Sequence, residues 1–416
     1  MRRIAVVGAG QAGLQLALGL VAAGYEVTLV AERTPEQVRG GRVLSTQAMF
    51  GPARRIEATA GLDLWADEAP AVSSVSSVLA VPPAVRALEF TMTLDEPAQS
   101  VDQRLKLARW LELLDERGGR VEYRTLDRDG LRELGGRHEL TVVAAGRGEL
   151  AGIFERDAAR SPFDGPQRAL SCLYVHGVGS PDPAAEPRAR MHALPGLGEL
   201  YLQPALTLSG LCAILLWEAL PGGPLDRFGD RPGPAAQLGR IRELLGEYLP
   251  WEAELWTEAE PTDAGAGLFG AVTPTVRRPV ASLGPGGDGG GDGEPVLGLG
   301  DAVVLNDPIT GQGANSAARA AEAYLRAIIA HGDAPFTSGW MRATAEAFWQ
   351  QHARHTVEFT ATMLTVPDHL QSVFAAAGHH EAVARRLANT YAEPSDYAAW
   401  LATPELTAAY LASVGG

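Results

Sequence analysis

The opening segment, Ile4 to Glu32, constrains the fold more than any other part of the chain. Ile4-Ala5-Val6-Val7 is a short apolar run ending at a glycine, the pattern of a strand buried on both faces. Gly8-Ala9-Gly10-Gln11-Ala12-Gly13 follows, then a helical stretch through Leu14, Ala17, Leu18 and Val21 that stops at Gly24. Val27 to Val30 reads as a second strand, so a β–turn–α–β unit closes within about thirty residues, which demands a right-handed parallel crossover. Gly8 permits the tight turn, Gly10 lets the backbone approach a pyrophosphate, and Gly13 lets the helix lie on the strand. Glu32 ends the second strand, where a carboxylate accepts from ribose hydroxyls. Together these features read as a dinucleotide site built from Gly8, Gly10, Gln11, Ala12, Gly13, Glu32 and the adjoining Arg33.

Composition narrows the partners. The chain has 416 residues, enough for two or three domains, and 46% hydrophobic against 20% charged residues excludes a mostly disordered chain. A net charge of −15 repels phosphate backbones, so nucleic acid is not an expected partner. Cys172 and Cys212 fit neither a redox pair nor a zinc cluster, which points to a reducing cytoplasm and no metal site. Met1-Arg2-Arg3 precedes an uncharged stretch, Ile4 to Tyr25, that could pass for a signal peptide or membrane span. Its five glycines and the charged strand that follows argue against both, so no membrane is expected.

Further strands are expected at Leu140–Ala145 and Val296–Leu299, so pieces almost 300 residues apart assemble one parallel sheet. Between them, Leu170–Val175, Leu200–Leu208 and Leu211–Trp217 read as strands joined by Pro/Gly turns. The expected architecture is α/β: a Rossmann-like domain from 1–64, 99–165 and 294–334, with an inserted sheet-rich domain from 65–98 and 166–293. Residues 284–293 form a Gly/Asp-rich return loop. The region 335–416 is helical, with Trp340, Ala343, Ala347, Phe348, His352 and His355 at near-helical spacing.

A second motif selects among dinucleotides. Gly300-Asp301 ends a strand, and Asp307-Pro308-Ile309-Thr310-Gly311-Gln312-Gly313-Ala314-Asn315 opens a helix. This pair resembles the flavin signature of FAD-dependent aromatic hydroxylases, which implies that Asp301 holds the ribityl chain and that the helix start faces the flavin. A helix start with free N–H groups does stabilise an anion, by about 0.3–2 kcal/mol. Within that group the chain is similar to the oxygenase component of styrene monooxygenases and their indole monooxygenase relatives. The resembling stretches run its length: Arg42-Val43-Leu44, Val101-Asp102-x-Arg104-Leu105, Ser161-Pro162-Phe163, Pro166 to Leu170, Pro195-Gly196-x-Gly198-Glu199-Leu200, and Glu358-Phe359-Thr360.

The resemblance implies FAD, used as FADH2, with O2 as co-substrate and a flavin C4a-hydroperoxide that epoxidises or hydroxylates a small apolar aromatic or alkene. It places Arg42, Ser45 and Pro308 around the reacting flavin carbon. Arg104 would be a fixed cation beside the flavin, and Thr125, Gly146, Pro308 and Gly311 to Asn315 would be further cofactor contacts. Leu44, Ser45, Leu202, Pro204 and Ile309 would line the substrate pocket. Ser45 stands where related chains tend to carry Asn, which leaves the substrate open. The Asp-Gly motif that serves a nicotinamide donor in single-component hydroxylases is replaced by Ala144-Ala145-Gly146. Electrons are therefore expected from a separate NAD(P)H-dependent flavin reductase. A homodimer is neither required nor excluded. The alternatives are a flavin amine oxidase, on Arg39-Gly40-Gly41-Arg42, and a non-catalytic carrier like GDP-dissociation inhibitors. A halogenase would need a catalytic lysine, and Lys106 is the only one in the chain.

Overall fold

The computed structural model describes the whole chain except residues 147, 183–185, 284–292 and 416. The return loop expected at 284–293 thus lies, but for Gly293, outside the described residues. A six-stranded sheet runs in the order Val280–Ser282, Pro295–Gly298, Leu140–Val143, Arg3–Val7, Glu26–Ala31, Arg120–Tyr123. All neighbours are parallel except the first pair. Parallel strands need both faces covered, and Leu140–Val143 is buried at every residue.

The helix Gln11–Ala22 covers one face and packs against Gln312–His331. A Cβ on Gly19 would sit 2.5 Å from Leu325, so that crossing is close because Gly19 has no side chain. The second helix turns Ala317, Ala318, Ala320, Ala321, Tyr324 and Ile328 inward, an apolar stripe at helical spacing.

The second sheet has eight strands. Along its main path lie Glu260–Pro261, Ala169–His176, Gly210–Ala219, Gly198–Thr207, Ala189–Leu194, Val72–Ala80 and Arg86–Ala98, with Gly267–Ala271 pairing Ala169–His176 as well. Its strands come from both sides of the helix Gln103–Glu116, which belongs with the first sheet. One boundary shifts: Val280–Ser282, within the stretch expected of the inserted domain, is the antiparallel edge of the six-stranded sheet. The C-terminal region is helical from Ser338 to Val414, and its helix Glu381–Ala392 packs on the long strand Arg86–Ala98. That contact makes the C-terminal helices a wall of the space between the sheets.

Candidate active site

Three backbone approaches bring the motifs together. A Cβ on Gly13 would lie 2.0 Å from the Gly8 carbonyl oxygen, so the first turn is closed by contact between its own glycines. A Cβ on Gly146 would meet the Asp301 Cβ at 2.5 Å, and one on Gly300 would meet the Ala12 Cβ at 3.0 Å. The ends of three strands therefore converge on the first turn of the helix Gln11–Ala22. The Arg124 N–H donates to the Ala31 carbonyl at 2.9 Å, which sets Thr125 near Glu32. Glu32, Arg33 and Thr125 are all exposed there. Arg277 donates to the carbonyls of Asp301 and Ala302 at 3.2 and 3.3 Å and steadies that strand end.

Two helix starts present free backbone N–H groups. Gly10 caps Gln11–Ala22 and Gly311 caps Gln312–His331; neither cap uses a side chain, and neither first turn holds an acidic residue. Space is open where a Cβ would stand at Gly10 and at Gly313. Uncapped, unscreened and open, both starts suit anions. This chemistry fits FAD: Gly10 to Gly13 would take the pyrophosphate, Glu32 the ribose, Asp301 the ribityl chain, and Gly311 to Ala314 the flavin's polar edge.

Two of the expected contacts can act only through their backbone. Gln11 is buried and donates from Nε2 to Glu57 Oε1 at 2.7 Å, while Gln312 donates from Nε2 to the carbonyls of Thr310 and Tyr391. Asn315 is a brace: its Oδ1 accepts from Phe50 N–H at 2.9 Å, and its Nδ2 donates to the carbonyls of Ala48 and Gly311. It ties the loop after Arg42 to the second helix start.

Arg42 is exposed, and no ion pair or hydrogen bond engages its side chain among the described residues. Arg104, expected as a fixed cation beside the flavin, is buried and doubly paired, with Nη2–Asp102 Oδ2 at 2.8 Å and Nη2–Asp263 Oδ2 at 2.9 Å. Burial opposes its charge, yet the two carboxylates outweigh burial and raise its pKa. Its Nη1 donates to the Gly41 carbonyl at 3.2 Å, and the Val43 N–H donates to the Gly265 carbonyl beside Asp263. Arg104 therefore positions the backbone that carries Arg42. The single lysine, Lys106, is buried with Nζ 2.7 Å from both oxygens of Glu57.

Between the second sheet and the Pro308–Gly311 turn lies a pocket of about 110 Å³. Its wall is largely apolar: Phe50, Val72, Met92, Leu94, Met191 and Leu216 among others, with Tyr391 from the C-terminal helices. Pro308 and Ile309 line it as expected, but Leu44 and Ser45 do not. Leu44 packs on the core of the first sheet instead. Ser45 donates from Oγ to Gln47 Oε1 at 2.8 Å, and its carbonyl accepts from Tyr174 Oη. Thr46 and Ala48 take the wall positions.

Leu202 and Pro204 border the pocket, yet strand alternation gives the pocket face to Tyr201 and Gln203. Across the ladder, Tyr201 pairs with Leu216 and Met191, both of which also line the pocket. The Tyr201–Gln203 stripe was not singled out in the sequence, although its period of two against Ile214 and Leu216 was present there.

Under the same turn lies a second ionic group. Arg168 holds Glu199 in a bidentate pair, at 2.7 and 2.8 Å. Glu218 stands directly opposite Glu199 in the ladder, fully buried, with neither oxygen hydrogen-bonded. Asp307 is also fully buried; one oxygen accepts from Ile309 N–H at 3.1 Å and the other has no partner. Burial, then Asp307 and Glu199, push the Glu218 carboxyl well up, and burial raises Asp307 to about 6.

A parallel sheet with a glycine-lined phosphate turn, a second uncapped helix start and an apolar pocket between them define a flavin-dependent oxidoreductase of the monooxygenase and halogenase architecture. Comparison with known proteins agrees. The family model "Styrene monooxygenase A putative substrate binding domain" matches residues 146–254, and one described as coenzyme F420-dependent NADP oxidoreductase matches residues 3–59. Styrene monooxygenase StyA from a Pseudomonas species is 32% identical over 338 residues, covering 79% of this chain and 78% of that protein. StyA of Pseudomonas fluorescens is 31% identical over the same shares. Among solved structures, a flavoprotein/dehydrogenase from Cytophaga hutchinsonii superposes with a TM-score of 0.69 at 13% identity over 99% of both chains. The flavin-dependent brominase Bmp2 superposes with a TM-score of 0.63 at 16% identity, over 99% of this chain and 98% of its own. The chain belongs to the styrene monooxygenase StyA family. It is an FAD-dependent monooxygenase.

Proposed function

We propose that the protein is the oxygenase component of a two-component system, taking reduced FAD from a separate NAD(P)H-dependent flavin reductase. One atom of O2 enters the substrate, the other leaves as water, and the two electrons come from FADH2, which becomes FAD. When bound, the reduced flavin supplies the activation of O2. The chain's own residues bind, orient and exclude water: Asn315 and Arg104 hold the two loops that face the cofactor, and the pocket keeps the reacting zone dry. The observation that carries this reading is the apolar pocket against Pro308–Gly311, beside the helix start suited to an anion. Its wall fits a small aromatic or alkene substrate of the styrene or indole type.

The halogenase reading is weaker because the single lysine is locked on Glu57, away from the pocket wall. The test is to incubate the protein with FAD, NADH, a generic flavin reductase and either styrene or indole. Product should form only with the reductase present. Rapid NADH or NADPH oxidation by the protein alone would overturn the two-component assignment. In a separate measurement, Asp301→Ala should weaken FAD binding about tenfold or more, since a charged hydrogen bond contributes about 1.5–3 kcal/mol. An unchanged Kd would remove Asp301 from the cofactor site.

A further inference from the structure

Two side-chain donors of the pocket wall, the Tyr201 phenol and the Thr46 hydroxyl, have no hydrogen-bond partner among the described residues. Gln99 donates from Nε2 to the carbonyls of Ala66 and Ala69, both at 2.8 Å. Gln203 donates to the carbonyls of Thr46 and Gln47, and Ser100 to that of Gln47. Thr310 and Thr360 share a bond at 2.7 Å, and Arg190 is held by Glu252. Tyr391 reaches only the Met363 sulfur, at 3.9 Å.

Tyr201 has no hydrogen-bond partner among the described residues, although its ring is gripped by the apolar clusters on either side. It sits at the centre of the pocket wall, between Met191 and Leu216 in the ladder. Its phenol remains protonated, because burial first, then nearby Tyr391, Glu218 and Glu199, push its ionisation upward. A rigid neutral phenol is a better donor than acceptor, and the largely apolar wall around it offers the phenol no competing protein acceptor.

We propose that Tyr201 donates a hydrogen bond to an oxygen acceptor on the substrate, so that this pocket selects arenes bearing an ether, carbonyl or hydroxyl oxygen over bare hydrocarbons. This rests on the monooxygenase reading above and deepens it. A site built to hydrogen-bond a substrate group discriminates against analogues that lack the group, because its own polar atom is then left unpaired. Thr46 is the other side-chain donor in the wall without a partner among the described residues. It is the competing explanation, because its hydroxyl rotates freely and could serve an acceptor placed elsewhere.

The experiment compares two near-isosteric substrates, 4-methoxystyrene and 4-ethylstyrene, in the reductase-coupled assay with the full chain and with Tyr201→Phe and Thr46→Val. The quantity read is the ratio of kcat/KM for the methoxy over the ethyl compound, divided between variant and parent. The electronic effect of the methoxy group cancels in that quotient. Tyr201→Phe should lower the ratio about 10–100-fold, with an unchanged Tm because no protein bond is lost. Thr46→Val should leave it within about twofold. An unchanged ratio in Tyr201→Phe, or an equal loss in Thr46→Val, overturns the proposal.

Equilibrium binding of 4-methoxyacetophenone, which cannot be epoxidised, separates this proposal from the reading beneath it. Weaker binding to Tyr201→Phe in a protein that oxidises neither styrene would keep Tyr201 as the donor to the ligand oxygen while sinking the monooxygenase mechanism. Equal binding to both proteins would sink the Tyr201 assignment whatever the oxidation result.

Discussion

Two buried arginines organise the space between the sheets, and they are not equally matched. Around Arg104 every oxygen of Asp102 and Asp263 has a partner. Asp102 takes the guanidinium, the Arg104 N–H at 2.8 Å and the Thr207 hydroxyl at 2.6 Å, while Asp263 takes the guanidinium and the Gly265 N–H at 2.6 Å. Around Arg168 one guanidinium faces three carboxyls, of which it bonds Glu199 alone, its other N–H groups going to the carbonyls of Gln167 and Leu364. Three oxygens, two on Glu218 and one on Asp307, are buried without a hydrogen-bond partner among the described residues. A buried ion pair is tolerable only when its remaining lone pairs are satisfied. The first cluster meets that condition with charge. The second meets it only with protons. The balanced cluster anchors the loop that carries Arg42, whereas the unbalanced one lies under the turn that borders the pocket.

The largest expected effect is from removing the cation of the unbalanced cluster. Arg168→Met leaves Glu199, Glu218 and Asp307 with no counter-charge and should cost about 3–5 kcal/mol near pH 8, read as a fall in Tm or denaturant midpoint. The loss should shrink at pH 5, where Asp307, raised by burial to about 6, is protonated and Glu218, pushed up by burial, is too. A pH-independent loss would mean that packing by the guanidinium, not its charge, matters there.

Arg104→Met should come next, at about 3 kcal/mol. Asp102 keeps its bonds from Thr207 and the backbone, and the Asp263 side chain is 36% exposed, so water partly replaces the lost partner. FAD binding should weaken together with stability, because the Gly41–Val43 backbone loses its tie. Full stability with intact flavin affinity would dissolve the contrast between the two clusters.

Glu218→Gln should act in the opposite direction. An acid whose pKa rises on folding binds more protons folded than unfolded, so the native state loses stability as pH climbs above the group's ordinary value of 4.5. Asp307 behaves alike from its ordinary 3.8 to about 6. Glutamine removes that dependence at position 218. The variant should gain stability over its parent progressively as pH rises from 4.5 to 8, read by thermal melts across that range. A gain that does not grow with pH would show that Glu218 is not the group taking up the proton.

The smallest effect is expected at Ser45. Its hydroxyl is turned to Gln47 and it does not line the pocket, so Ser45→Asn should move the styrene-to-bicyclic product ratio less than about twofold. A larger shift would place this position beside the substrate after all.

Much of the first sheet was readable because its signals are local. Glycines at fixed offsets, an apolar strand and a helix with Ala and Leu on one face need only thirty residues to declare themselves. The helix start at Gly311 was readable for the same reason. Arg104 was found by motif and read as a fixed cation, but what fixes it was not legible, since nothing within ten residues of it marks Asp263 as its second partner. The pocket wall was half found. Pro308 and Ile309 follow a turn, but Tyr201, Gln203 and Met191 are defined by register between strands whose pairing the sequence does not state.

By itself, then, the amino-acid order determined the dinucleotide unit, the flavin-type second motif and the alternation of sheet and helix, all of which depend on short-range backbone geometry. Only the tertiary structure decided which charges are compensated and which side chains face the pocket. Both depend on contacts between segments far apart in the chain: Arg104 with Asp263, Glu218 with Glu199 and Asp307, and Tyr201 between Met191 and Leu216. A one-residue slip in a strand register would turn Tyr201 away and Leu202 inward, and no local preference opposes that slip. Burial of Leu200 and Leu202 in one core with Ile241 and Leu245 of the helix Pro234–Tyr248 is what fixes it.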